Sequence, residues 1–101
     1  MSFVKIASVD DVKAGTVKIY ELAGKQIALC HAGDQFFAVE DVCTHDGGPL
    51  GEGELVDCQI ECPRHGARFD IKTGQALTLP AVTPVPTYPL EIRGNEILIK
   101  I

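Results

Sequence analysis

A chain of 101 residues is the size of one domain, and its 46% apolar content is too high for a disordered one. Nine Lys and Arg against fourteen Asp and Glu leave a formal net charge of −5, which argues against nucleic-acid binding and suits a soluble protein that docks on basic surfaces. No apolar run approaches the roughly 18 residues of a membrane span. The N-terminus also lacks the basic start and apolar stretch of an export signal, so the expected location is the cytoplasm.

Short β-rich runs separated by turn residues dominate the chain. The first predicted strand covers residues 3–7. A short helical turn follows at 8–13, where Ser8 stands as a cap and Asp11 takes the place of the usual Glu or Gln. Strands are predicted at 16–22, 25–32 and 35–39, joined by tight hairpins at Ala23-Gly24 and Gly33-Asp34.

From Val42 to Gly53 the chain reads VCTHDGGPLGEG, with four glycines and a proline, which excludes a long strand and predicts a shaped loop. Short strands at 59–61 and 68–70 flank a second loop that opens CPRHGA. The stretch 70–74, DIKTG, reads as a turn. Residues 80–89 hold four of the six prolines, so this segment belongs at a sheet edge or over it. Strands at 90–93 and 96–101 close the chain across Gly94-Asn95. In the last, Ile97, Ile99 and Ile101 face one side while Leu98 and Lys100 face the other.

The expected organisation is all-β. A scaffold from 1–40 and 76–101 carries a loop-rich insertion, 41–75. That insertion contains two of the three histidines and three of the four cysteines. Function is expected on loops held by such a scaffold. In a reducing cytosol, cysteines gathered in this way favour metal binding over disulfides.

Cys43-Thr44-His45 and Cys62-Pro63-Arg64-His65 form two half-sites, C-x-H and C-x₂-H, separated by sixteen residues. Each offers one soft thiolate and one imidazole. Gly47, Gly48 and Gly51 permit sharp turning after the first pair, and Gly66 after the second. By ligand type alone, structural zinc and iron fit equally. Spacing tilts the balance toward iron: zinc fingers usually pair Cys with Cys and His with His, whereas each half-site here mixes them. Two matched half-sites in glycine-rich loops argue against four residues that bind nothing.

CTHDGGPLGEG and CPRHGARFD resemble the two boxes of Rieske ferredoxins and Rieske domains, above all the bacterial ferredoxins that serve ring-hydroxylating oxygenases. The resemblance covers nearly the whole chain. It implies an antiparallel β-sandwich or barrel with an inserted cluster-binding subdomain. It also implies a 2Fe–2S cluster, with Cys43 and Cys62 on one iron and His45 and His65 on the other. Exchanging two thiolates for neutral imidazoles makes such a cluster less negative and easier to reduce.

High-potential members of the family carry a second cysteine in each box, joined as a disulfide. Here those positions are Gly48 and Arg64. Those members also place a serine and a tyrosine hydroxyl near the cluster, where this chain has Ala67 and Phe69. Fewer donors leave the reduced cluster less stabilised. The expected potential is toward the lower end of the Rieske span of about −150 to +300 mV.

Residues beside the boxes are read more plainly. Cys30 and Cys58 are expected as small buried side chains, and His31 as a surface or hydrogen-bonded residue. Pro49 and Pro63 stiffen the loops or simply form turns. Asp46, Glu52, Glu54, Asp57 and Glu61 form either a solvated face or a docking surface, and Arg64 and Arg68 set local charge or meet an acidic partner.

The resemblance implies a one-electron shuttle and not an enzyme in itself. A flavin-dependent reductase is the expected donor, and a terminal oxygenase or another oxidoreductase the acceptor. The chain has no dinucleotide-binding glycine motif and no second metal motif of two His and a carboxylate. The alternatives are a small subunit of another oxidoreductase, such as a nitrite reductase, and a zinc-stabilised interaction module.

Overall fold

A computed structural model describes residues 2–42, 48, 50–63, 66–79 and 82–101. Ten strands follow in order: β1 (Phe3–Ser8), β2 (Val17–Leu22), β3 (Lys25–Ala32), β4 (Gln35–Glu40), β5 (Glu54–Val56), β6 (Gln59–Glu61), β7 (Arg68–Asp70), β8 (Thr87–Tyr88), β9 (Leu90–Arg93) and β10 (Glu96–Lys100). They make three antiparallel sheets, ordered β1-β10-β9, β2-β3-β4-β8 and β5-β6-β7. The all-β expectation holds.

The sequence of β3 explains the stacking of the sheets. Successive strand residues point to opposite faces. Ile27 and Leu29 join Ala7, Val12, Ala38, Ile97 and Ile99 in one core, against the β1-β10-β9 sheet. Ala28, Cys30 and Ala32 join Val39, Leu50, Ile60, Cys62, Ala67 and Phe69 in a second core, against the β5-β6-β7 sheet. The β2-β3-β4-β8 sheet is therefore a middle layer, apolar on both faces along β3. The small side chains of Ala28, Cys30 and Ala32 leave room on the second face for Phe69, Leu50 and Ile60.

Most predicted strands agree with the structure within a residue or two. The 8–13 helix reduces to a single 3-10 turn at Val9–Asp11, where the Ser8 N–H donates to Asp11 Oδ2 at 2.9 Å. Two strands escaped the sequence reading. β5 has three residues, and β8 has two, set between Pro86 and Pro89. As the prolines require, β8 is an edge strand, paired only with β4 through Ala38–Tyr88 and Val39–Thr87. Leu98 also departs from a simple inside–outside alternation, because it is only 9% exposed.

The hairpins follow their turn residues. Ala23 and Gly24 both take positive φ, at 53° and 77°. At Gly33-Asp34 and Gly94-Asn95 only the glycine does so. The 70–74 segment is a turn built on Asp70. Its Oδ1 accepts from the Lys72 and Thr73 amides, and its carbonyl accepts from Gly74 N–H at 2.7 Å.

Candidate metal centre

Of the two predicted boxes, Leu50 of the first and Cys62, Ala67 and Phe69 of the second belong to the second core. Cys62 follows β6 directly and is 1% exposed. Its N–H donates to Ala67 O at 2.7 Å, and its carbonyl accepts from Gly66 N–H at 3.1 Å. Cys62 and Ala67 thus extend the pairing of the β6–β7 hairpin by one step. Gly66 takes φ +75°, the left-handed conformation that its lack of a Cβ permits. Pro63 is exposed. Cys43, His45 and His65 lie outside the described residues, as do Asp46, Pro49 and Arg64. Among the described residues, no group of three or more His, Cys, Asp and Glu side chains is gathered to hold a metal ion.

The exit of the first box is fixed by packing. Leu50 is fully buried in the core that holds Cys62, and it begins a 3-10 turn, Leu50–Glu52. Gly51 was expected to serve chain turning. Its φ is not left-handed, and its reason is space: a Cβ there would stand 1.8 Å from Ile19 Cδ1. Its N–H donates to Asp41 Oδ1 at 2.6 Å. Two residues on, Gly53 lies against the backbone of Glu61, the residue before Cys62. The two boxes are therefore in backbone contact at their bases. Sequence reading missed Asp41 and the reason for Gly53.

A third segment supports the second box. Thr78 Oγ1 accepts from Arg68 N–H at 2.9 Å, and the hydroxyl lies 3.5 Å from Gly66 O, to which it donates. Leu77 N–H donates to Arg68 O at 2.8 Å. Beyond these anchors, Leu79 and Val82 are 78% and 76% exposed. Leu79 precedes the proline-rich segment and Val82 lies within it.

The remaining candidates separate clearly. Cys30 is fully buried, and burial pushes its thiol up to about 12, so it stays a protonated, inert thiol. Cys58 is half-buried. His31 is hydrogen-bonded, as expected: Nδ1–H donates to Val12 O at 2.7 Å, and the ring stacks on Phe36 with centroids 4.0 Å apart. Of the acidic residues, Glu52, Glu54 and Asp57 are exposed. Glu61 is not part of a free acidic face, because its Oε1 lies 2.9 Å from Arg68 Nε, and the two charges answer each other.

The described part of the site fits a cluster ligand. Cys62 is a free thiol buried in an apolar core. Ala67 and Phe69 are fully buried in the same core and bring no hydroxyl to it. The match to known families decides the cofactor. The model of the Rieske [2Fe-2S] domain matches residues 2–89. The chain belongs to the Rieske family. Its cofactor is accordingly a Rieske-type 2Fe–2S cluster.

Rieske relatives match it end to end. The ferredoxin component of biphenyl 2,3-dioxygenase from Rhodococcus jostii (strain RHA1) is 36% identical over 99 residues, covering 98% of this chain and 92% of that one. Among solved structures, the ferredoxin of carbazole 1,9a-dioxygenase from Nocardioides aromaticivorans IC177 superposes with a TM-score of 0.93 at 33% identity, over 98% and 97% of the two chains. A second solved structure is a complex of reduced oxygenase and oxidized ferredoxin in carbazole 1,9a-dioxygenase. It matches with a TM-score of 0.90 at 34% identity, over 96% of this chain and 91% of that one. No described helix is long and apolar enough to cross a membrane.

Proposed function

We propose that this chain is the Rieske ferredoxin of a ring-hydroxylating oxygenase system: a cytoplasmic one-electron carrier between a flavin-dependent reductase and a terminal oxygenase. One observation carries this reading above the others. The chain and the ferredoxin components match over nearly their whole lengths, 98% of this chain against 92% and 97% of theirs, which favours a carrier of their kind. Support for the oxygenase as acceptor comes from the matching ferredoxin that was solved together with its oxygenase.

In this reading the base comprises 1–40 and 76–101, and the insertion 41–75 holds the cluster. Cys43 and Cys62 ligate one iron, and His45 and His65 the other. When bound, the cluster supplies reversible one-electron chemistry. The protein's own share is to seat it in an apolar setting and restrict the donors around it. Ala67 and Phe69, both buried beside Cys62, favour a potential toward the lower end of the family's span of about −150 to +300 mV.

The test is an electron paramagnetic resonance spectrum of anaerobically reduced protein, with iron and acid-labile sulfide counted on the same sample. The expected result is a mixed-ligand signal, whose average g value lies below that of all-cysteine clusters. Cys43→Ala and His65→Ala should each abolish it. Stoichiometric zinc without labile sulfide overturns the reading. A normal cluster that neither accepts electrons from a flavin reductase nor supports an oxygenase would instead redirect it to another oxidoreductase.

A further inference from the structure

The first box leaves the middle sheet just after Asp41 and returns to the core at Gly51. Between these two points lie residues 42–50, including Cys43 and His45. The Gly51 N–H donates to Asp41 Oδ1 at 2.6 Å, within a partly buried contact.

Both ends of this bond are independently fixed. Asp41 N–H donates to the O of Gln26, a residue of β3, at 2.9 Å, and Val42 N–H to Glu40 O at 2.8 Å. On the other side, Gly53 N–H donates to Leu50 O at 3.0 Å, and Leu50 is buried in the core that includes Cys62. Gly51 presents bare backbone to the carboxylate, and the space a Cβ would fill is occupied by Ile19 Cδ1.

We propose that Asp41 is a positioning residue for the first half-site. Its carboxylate closes the neck of the loop and sets the distance between the two ends. That restricts the positions from which Cys43 and His45 can meet the second box. A loop already closed loses less entropy when its ligands are ordered around the cluster. Asp41 acts through the Gly51 amide and is not itself a ligand. The inference rests on the ligand assignment proposed above.

The experiment compares reconstituted holoprotein of wild type, Asp41→Ala and Asp41→Asn. Two quantities are read: the rate at which visible absorbance bleaches under an iron chelator, and the line shape of the reduced resonance spectrum. Asp41→Ala is expected to bleach about tenfold faster and to give broadened g features, with the far-UV circular dichroism of the β scaffold unchanged. Asparagine still offers a side-chain oxygen to the Gly51 N–H, so Asp41→Asn should bleach within about twofold of wild type and keep its line shape.

Wild-type behaviour of Asp41→Ala overturns the proposal. So does an asparagine variant as labile as the alanine one, because charge and not the bond would then be at work. Should Asp41→Ala yield no folded holoprotein, the asparagine line shape alone decides: a wild-type shape supports the closure, an altered one removes it. A Cys43→Ala protein that retains a Rieske spectrum overturns the ligand assignment instead, whatever the Asp41 variants do.

Discussion

Gly53 lies so close to Glu61 that a Cβ on it would stand 1.6 Å from the Glu61 carbonyl oxygen and 2.8 Å from the carbonyl carbon. No side chain fits there, and the obstacle is backbone, which has no rotamer to change. Glu61 precedes Cys62, so any adjustment moves the second box. Gly53→Ala is expected to destabilise by about 3 kcal/mol or more, beyond ordinary overpacking. Cluster content should fall below half of wild type, as measured by iron and sulfide per purified chain.

Gly66 provides the contrast. Nothing lies within 4 Å of its would-be Cβ, and only its φ of +75° demands glycine. Gly66→Ala should therefore cost about 1–2 kcal/mol, with Gly66→Asn recovering part of it, since asparagine enters the left-handed region more readily. Thermal unfolding of the two holoproteins checks this.

Thr78 holds the proline-rich segment to the second box through its single hydroxyl. Thr78→Val keeps the shape and removes both bonds. The site is exposed, so water compensates in part, and the expected loss is about 0.5–1 kcal/mol. At this size that lowers Tm by roughly 2–8 °C. Thr78→Ser should restore it.

The Cys30 thiol makes a signed prediction about alkaline pH. Its ordinary value is 9.0, and burial raises it to about 12 in the folded chain. Between these values the unfolded chain has released the proton while the folded chain still holds it. Stability contributed by Cys30 is thus intact below pH 9 and declines as pH rises toward 12, by up to roughly 1.4 kcal/mol per unit. Cys30→Ala should show a shallower decline in denaturant midpoint between pH 9 and 11. At pH 8.5 iodoacetamide should label Cys58 in folded protein and leave Cys30 unmodified, as read by mass spectrometry of peptides.

Leu79 and Val82 expose apolar surface beyond the Thr78 anchor of the second box. In the carrier reading, Leu79→Ser combined with Val82→Ser should raise the oxygenase KM for this protein at least threefold. Turnover at saturation and the midpoint potential should stay unchanged. Steady-state oxygenase kinetics with varied carrier concentration supply the measurement.

The middle and outer strands were legible because alternation in β3 and β10 and the glycines at their turns report local physics. β5 was hidden by its length and by the glycines before it. One sign of it existed in the two residues between Val56 and Gln59, where Asp57 takes φ +54° in a tight hairpin. β8 was hidden by its flanking prolines. At the site, ligand types and spacing singled out Cys43, His45, Cys62 and His65 as candidates, since metal chemistry restricts residue choice. Asp41 and Gly53 left no comparable trace. Each works against a backbone group eight to ten residues away, and a peptide N–H or carbonyl carries no residue identity in a sequence.

The division of the interior into two cores bears on how the protein matures. Ile27, Leu29, Ala38, Ile97 and Ile99 are packed together with no residue of either box among them. A newly synthesised chain can therefore close this core before any iron is delivered. Metal insertion then bears on the second core, which holds Cys62, and leaves the first one untouched.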